Sequence, residues 1–185
     1  MDRLKAEYEI GIRWRAFPLH PEIPGEGLSI ADLFAGRSVD IDEVMRHLSN
    51  TAAGLGLPFG ERKMTYNSRL AQELGAWAEA KGKGDAFHKV AFHAYFAGGK
   101  NIGKIPVLVE LASAVDLPPE EAQAVLETRR YKEAVDRDWS LSRAQGITAV
   151  PTLVMNGDRV VGAQPYRVLE ELMAAHNVPK RNRTD

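Results

Sequence analysis

The sequence predicts an α/β protein whose middle is helical. Three observations carry this: a period-two run near the start, a helical period from Asp40 to about Leu126, and Asn156-Gly157 between two β-rich runs near the end. In the first run Tyr8, Ile10, Ile12, Trp14 and Ala16 alternate with Glu9, Gly11, Arg13 and Arg15, the pattern of a strand with one wetter face. Pro18, Pro21, Pro24, Gly25 and Gly27 then enforce a loop.

In the helical stretch, Asp40 or Asp42 is placed to cap a helix carrying Val44, Met45 and Leu48, which frays at Gly54 and Gly56. Asn67 or Ser68 starts a second helix, with Leu70, Leu74, Trp77 and Ala78 on one stripe and Gly82 as its stop. Asp85 is placed to cap a third, where Phe87, Val90, Ala91 and Ala94 share a face. Pro106 suits the first turn of a fourth, through Leu108, Leu111, Ala112 and Val115. Pro118-Pro119-Glu120-Glu121 opens a fifth, with acids where the helix dipole favours them. A sixth runs from about Tyr131 to Gln145 and ends at Gly146.

Beyond it, Thr152 to Met155 and Arg159 to Val161 flank Asn156-Gly157-Asp158, a strong hairpin signal. Pro165 begins a last helix with Val168, Leu169, Leu172 and Met173 inward, and the polar tail from Pro179 to Asp185 is expected to be loose.

With 185 residues, the chain can bury one sizeable core, or a core and a smaller lobe. A net charge of −1 argues against a general nucleic-acid binder. No stretch reaches the ~18 uninterrupted apolar residues of a membrane span, and Met1 to Glu7 lacks the apolar centre of a secretory signal. With no cysteine in the chain, a cytoplasmic location is expected. The same absence removes disulfides, cysteine-rich zinc sites and cysteine nucleophiles together.

Other chemistry-bearing residues read as structural. His88 and His93 lie five apart, not at the i, i+4 spacing of a helical metal pair, and His20 and His47 have no ligand-like neighbours. No metal site or cofactor is expected. Trp14, Trp77 and Trp139 read as core anchors, as do Phe92, Tyr95 and Phe96. Lys81-Gly82-Lys83-Gly84 lacks the phosphate-loop pattern and reads as a helix–helix turn.

The wording of the two ends carries a resemblance. Gly146-Ile147-Thr148-Ala149-Val150-Pro151-Thr152-Leu153-Val154, the Asn156-Gly157 hairpin and Gly162-Ala163-Gln164-Pro165 resemble the C-terminal half of a thioredoxin fold. With Trp14-Arg15-Ala16-Phe17-Pro18-Leu19-His20-Pro21-Glu22, they resemble the cytoplasmic FrnE-type branch of DsbA-like oxidoreductases. Asn67-Ser68-Arg69-Leu70-Ala71 and Phe92-His93-Ala94-Tyr95-Phe96 fit that branch's helical insertion. The resemblance runs from about Tyr8 to Met173. It implies a thioredoxin-like domain over residues 1–36 and 140–176, a large all-helical insertion over 37–139, and a flexible tail over 177–185. It also makes Pro151 a cis-proline and places Val150 and Pro151 where an extended substrate pairs like a strand.

The departure from the family is chemical. Its members begin with a strand and then Cys-x-x-Cys at the start of a long helix, whose N-terminus lowers the thiol pKa. In this sequence Met1 falls where that helix should end, so the first strand and the active-site helix start are expected to be missing, from a gene start placed too late. The family implies thiol–disulfide exchange with protein or small-thiol substrates; the chain as given is expected to be redox-inactive by itself. Two alternatives are a glutathione-linked isomerase or transferase relative, and a non-catalytic protein that binds a peptide or partner.

Losing a central strand removes ~8–10 backbone hydrogen bonds at ~1 kcal/mol net each, against a stability margin of about 5–15 kcal/mol. Ordering therefore requires the Trp14 run to pair directly with the Thr152 run, a strand from another chain, or a largely helical fold with small sheets. An exposed edge is also a template for a homo-oligomer.

Overall fold

The computed structural model describes residues 1–181. In chain order its elements are α1 (Asp2–Glu7), β1 (Leu28–Ser29), α2 (Ile30–Leu33), α3 (Ile41–Gly54), β2 (Met64–Thr65), α4 (Arg69–Ala80) and α5 (Gly84–Phe92). A π-helical turn (His93–Ala97) follows, then α6 (Ile105–Ser113), α7 (Pro119–Glu127), α8 (Lys132–Ala144), β3 (Thr152–Met155), β4 (Asp158–Val161) and α9 (Tyr166–Ala175). The chain packs as two units: Met1–Leu19 with the chain from Asp138 onward, and His20–Arg137.

The second unit is a helical body. Leu74, Trp77 and Ala78 of α4 pack with Phe87 of α5, Leu108 and Ala112 of α6, and Val125 of α7 in one buried cluster. The stripes predicted from the 3.6-residue period are the ones that close it. Asp40 caps α3 as expected, its Oδ1 accepting from Glu43 N at 3.0 Å. Asp85 does not cap α5; the helix starts at Gly84 behind Lys83, and Asp85 sits in its first turn.

The insertion is not wholly helical: β1 and β2 form a two-rung antiparallel ladder, Leu28 opposite Thr65 and Ser29 opposite Met64. The family resemblance implies joints after residues 36 and 139, whereas the packing divides the chain after Leu19 and after Arg137. Residues 20–36 go with the helices because Asn67 Nδ2 donates to Pro21 O (3.1 Å) and Ile23 O (2.8 Å), and Ile30 N to Lys63 O (2.9 Å). A single asparagine side chain thus satisfies two loop carbonyls that propensity could not place.

The first unit has a smaller core. Leu4, Tyr8, Leu172 and Met173 are buried, with Ile10, Leu153, Met155, Val160 and Leu169 against them. Beside this core the Tyr166 hydroxyl donates to Glu7 Oε2 at 2.8 Å, and the Arg3 guanidinium lies 3.8 Å from the Tyr166 ring centre. Burial first, and then the hydrogen bond to Glu7, pushes the phenol up to about 12.

The predicted first strand is a correction. Side chains alternate as expected, with Ile10, Ile12, Trp14 and Ala16 half-buried between exposed Glu9, Gly11, Arg13 and Arg15. Yet among the described residues Glu9 to Ala16 forms no ladder, and the bridge beside it is Tyr8 with Lys180. A period of two reports which face is wet, but a strand also needs a neighbour for its N–H and C=O groups. The segment is held at its far end instead, where Asp138 accepts from Arg15 Nη1 (2.7 Å) and Ala16 N (3.0 Å).

The expected loose tail is tied down as far as it is described. Arg181 N donates to Glu7 O (2.9 Å), and Arg181 Nε reaches Lys5 O and Tyr8 O (both 3.0 Å). Residues 182–185 lie outside the described residues. Of the three routes to order, the chain takes the largely helical one with small sheets.

Candidate functional site

The site is built on the turn that leads from α8 into β3. Gly146, at φ 63°, ends α8 in the left-handed conformation that glycine adopts without strain. Ile147 N then donates back to Ser142 O at 2.9 Å. The Val150–Pro151 peptide bond is cis. Both residues are exposed, Val150 at 43%. Thr152 Oγ1 donates to Ala149 O at 2.7 Å and Gly162 N to Pro151 O at 2.7 Å, closing the loop on both sides.

β3 pairs antiparallel with β4, Thr152 opposite Val161 and Met155 opposite Asp158, through a turn whose Asn156 (φ 48°) and Gly157 (φ 98°) both need positive φ. The Gly162–Pro151 bond makes Thr152–Val161 a wide, non-hydrogen-bonded pair, so Leu153 and Met155 turn their backbone groups toward β4. By the same alternation, the N–H and C=O of Thr152 and Val154 point to the other edge. Among the described residues no strand pairs with that edge. Leu153, Met155 and Val160 pack toward the core, while Val154 (37% exposed) and Val161 (50%) face outward.

This arrangement presents two backbone donors and two acceptors in strand geometry, beside a proline loop and small apolar side chains. It contains no thiol, and the His176 Nε2–Asp158 Oδ2 pair (3.1 Å) sits at the β3–β4 turn, at the far end of the hairpin from Val150–Pro151. Among the described residues no group of three histidine, aspartate or glutamate side chains is placed to hold a metal ion. His88 Nδ1 lies 2.9 Å from Gly84 O, and burial holds its imidazole below the usual range. No helix among the described residues is long and apolar enough to cross a membrane.

The family model of the DSBA-like thioredoxin domain matches residues 1–174. The chain belongs to the DsbA-like thioredoxin family. The fold agrees: a probable DsbA oxidoreductase from Streptomyces coelicolor superposes with a TM-score of 0.81 at 25% identity, over 92% of this chain and 77% of that one. A putative protein disulfide isomerase from Nitrosomonas europaea shares the fold at a TM-score of 0.59 and 16% identity, covering 72% of each chain. So does the cytosolic disulfide reductase DsbM of Pseudomonas aeruginosa, at 0.55 and 23%, over 74% of this chain and 76% of that one. In sequence, the uncharacterized protein YwbO of Bacillus subtilis is 31% identical over 106 residues, which cover 57% of this chain and 53% of YwbO. The chain therefore matches about half the length of that curated relative.

As a DsbA-like domain the chain is chemically incomplete, because it holds no cysteine. Disulfide exchange passes through a thiolate attacking sulfur, and no side chain here can replace it. These residues alone perform no thiol–disulfide exchange.

The aromatic residues divide. Trp77 is 1% exposed, the core anchor its stripe predicts. Phe92, expected in the core with Tyr95 and Phe96, is half exposed. Phe92 still lies in α5, five positions and so about 140° round from Phe87, off the face that Phe87 and Ala91 bury. Arg62, which stands in no recognisable pattern of the sequence, donates to the Tyr95 hydroxyl at 2.6 Å. No motif surrounds it.

Proposed function

We propose that this chain supplies the substrate-receiving part of a DsbA-like thiol–disulfide oxidoreductase. Val150 and Pro151 lead an extended polypeptide onto the edge of β3 that is free in the chain as given, and the thiol pair comes from a separate molecule, since an upstream segment restoring the missing central strand would itself cover that edge. The observation that carries the reading is the free β3 edge directly after Val150–Pro151, in a chain of this family. Main-chain bonds to Thr152 and Val154 give affinity, and Val154 supplies apolar contact to alternate side chains of the added strand. We place the activity in the cytoplasm; the cytosolic reductase of similar fold supports that compartment.

The test is Val154→Pro. Val154 N–H points away from β4, so proline removes a donor from the free edge while sparing the β3–β4 ladder. An extended, fluorescently labelled peptide should bind the wild-type chain and lose about tenfold in affinity with the variant, from one lost bond plus the intruding ring. Unchanged affinity would show that the peptide binds elsewhere. The same edge is a template for a second copy, so sedimentation is measured alongside. Self-association that Val154→Pro abolishes places the partner strand on the same edge.

A further inference from the structure

The helical unit contains an open cavity of about 620 Å³, within the usual few hundred to ~1,000 Å³ of a small-molecule site. It is lined by Ile41 and Met45 of α3, by Ile30 at the start of α2, and by Phe59 and Arg62 of the segment before β2. No residue of α3 is fully buried, so that helix has no core of its own behind it.

Arg62 is the anomaly. Its Nη2 donates to the Tyr95 hydroxyl (2.6 Å), and its guanidinium lies 4.3 Å from the centre of the Tyr95 ring and 5.0 Å from that of Phe96. Every one of these partners is neutral. Its Nε is buried with no hydrogen-bond acceptor, and no carboxylate among the described residues pairs with it. Ring faces orient a cation but carry no net charge to match it, and a partly buried guanidinium without a counter-ion costs free energy.

The segment that holds Arg62 is fixed on both sides. Gly60 N donates to Phe96 O at 2.9 Å, and a Cβ at Gly60 would collide with Ala97 O, so glycine is required for the approach. On the other side Ile30 N bonds Lys63 O and β2 pairs with β1. The cation is therefore held in place before any ligand arrives.

We propose that this cavity binds a small amphiphilic carboxylate, its acid group on Arg62 and its hydrocarbon body against Ile30, Ile41, Met45 and Phe59. The lining carries Arg46, Arg62 and Lys63 against Asp42 and Glu61. Glu61 is already 3.4 Å from Lys63, with both side chains 82% exposed, so water screens that pair. What remains favours an anion. A guanidinium fork matches the two oxygens of a carboxylate, and Ile30, Ala31, Ile41, Met45 and Phe59 give the lining an apolar part that a compact, highly hydrated anion would leave unused.

The test is calorimetric titration of the whole chain with octanoate and, in parallel, with octylammonium. Octanoate should bind saturably and octylammonium at least about tenfold more weakly. Arg62→Gln keeps a donor for Tyr95 but no charge, and should weaken octanoate at least about tenfold while its melting curve stays at or above that of wild type. Met45→Trp fills the cavity from α3 and should weaken octanoate as well, which decides the matter if Arg62→Gln fails to fold. Equal binding of the two probes overturns the proposal. So does wild-type affinity in both variants, or no saturable binding of octanoate up to about 10 mM.

Discussion

Glu73→Ala is expected to destabilise the helical unit by about 3–5 kcal/mol, read as a lower urea midpoint. The Glu73 side chain is 1% exposed and is held between two arginines. It accepts from Arg69 Nε at 2.6 Å, and from Arg129 Nε and Nη2 at 2.7 Å each. Arg69 also donates to Lys132 O (2.9 Å) and Asp136 Oδ1 (2.7 Å), so one carboxylate ties α4 to the start of α8 and to the turn between α7 and α8. Alanine leaves Arg69, 14% exposed, without its nearest counter-charge, and that is the costly half of breaking a buried pair.

The pH dependence has a fixed sign. Burial alone pushes the Glu73 carboxyl up, and the hydrogen bonds from Arg129 and then Arg69 more than offset it, holding it below the usual carboxylate range. A depressed folded-state pKa gives stability that is present above the unfolded value and lost as pH falls through the folded one. The wild-type urea midpoint should therefore fall with acid more steeply than that of Glu73→Gln, which keeps the volume but has no charge to lose. Parallel acid profiles would remove Glu73 from the account.

Met173→Ala should cost about 2–5 kcal/mol in the other unit. Met173 is fully buried in a cluster of four buried residues, with Leu153 and Met155 of β3 against it. A core so small has few neighbours to close the void, so the cost should reach the hairpin. Peptide binding at the β3 edge should weaken with the thermal midpoint of this unit, and the helical unit should melt as before. Loss of both transitions together would mean that the units unfold as one.

The elements that sequence made legible are those whose signal is local. Asn156-Gly157 demands positive φ at both turn residues, and the Leu74–Trp77–Ala78 stripe demands a partner face; both stand where they were predicted. The Tyr8 to Ala16 run shows the limit, since its side chains obey the period of two although among the described residues no strand pairs with it. β1 and β2 are two residues each, too short for any period, and owe their ladder to residues thirty-five or more positions apart in the chain. Val150 and Pro151 were legible as a loop through their wording and the hairpin after them. The free edge beside them follows from which strands pair, and sequence does not state that. Arg62 was invisible because an isolated arginine between Glu61 and Lys63 reads as solvated charge; only the π-helical turn brings Tyr95 and Phe96 over it.

The β3 edge is most directly tested by residue-resolved amide hydrogen exchange of the monomer, with and without saturating extended peptide. Leu153 and Met155, bonded to β4, should be protected in both samples; Thr152 and Val154 should exchange freely alone and become protected when the peptide is added. Protection of Thr152 and Val154 in the free monomer, or their free exchange in the saturated complex, would contradict the account.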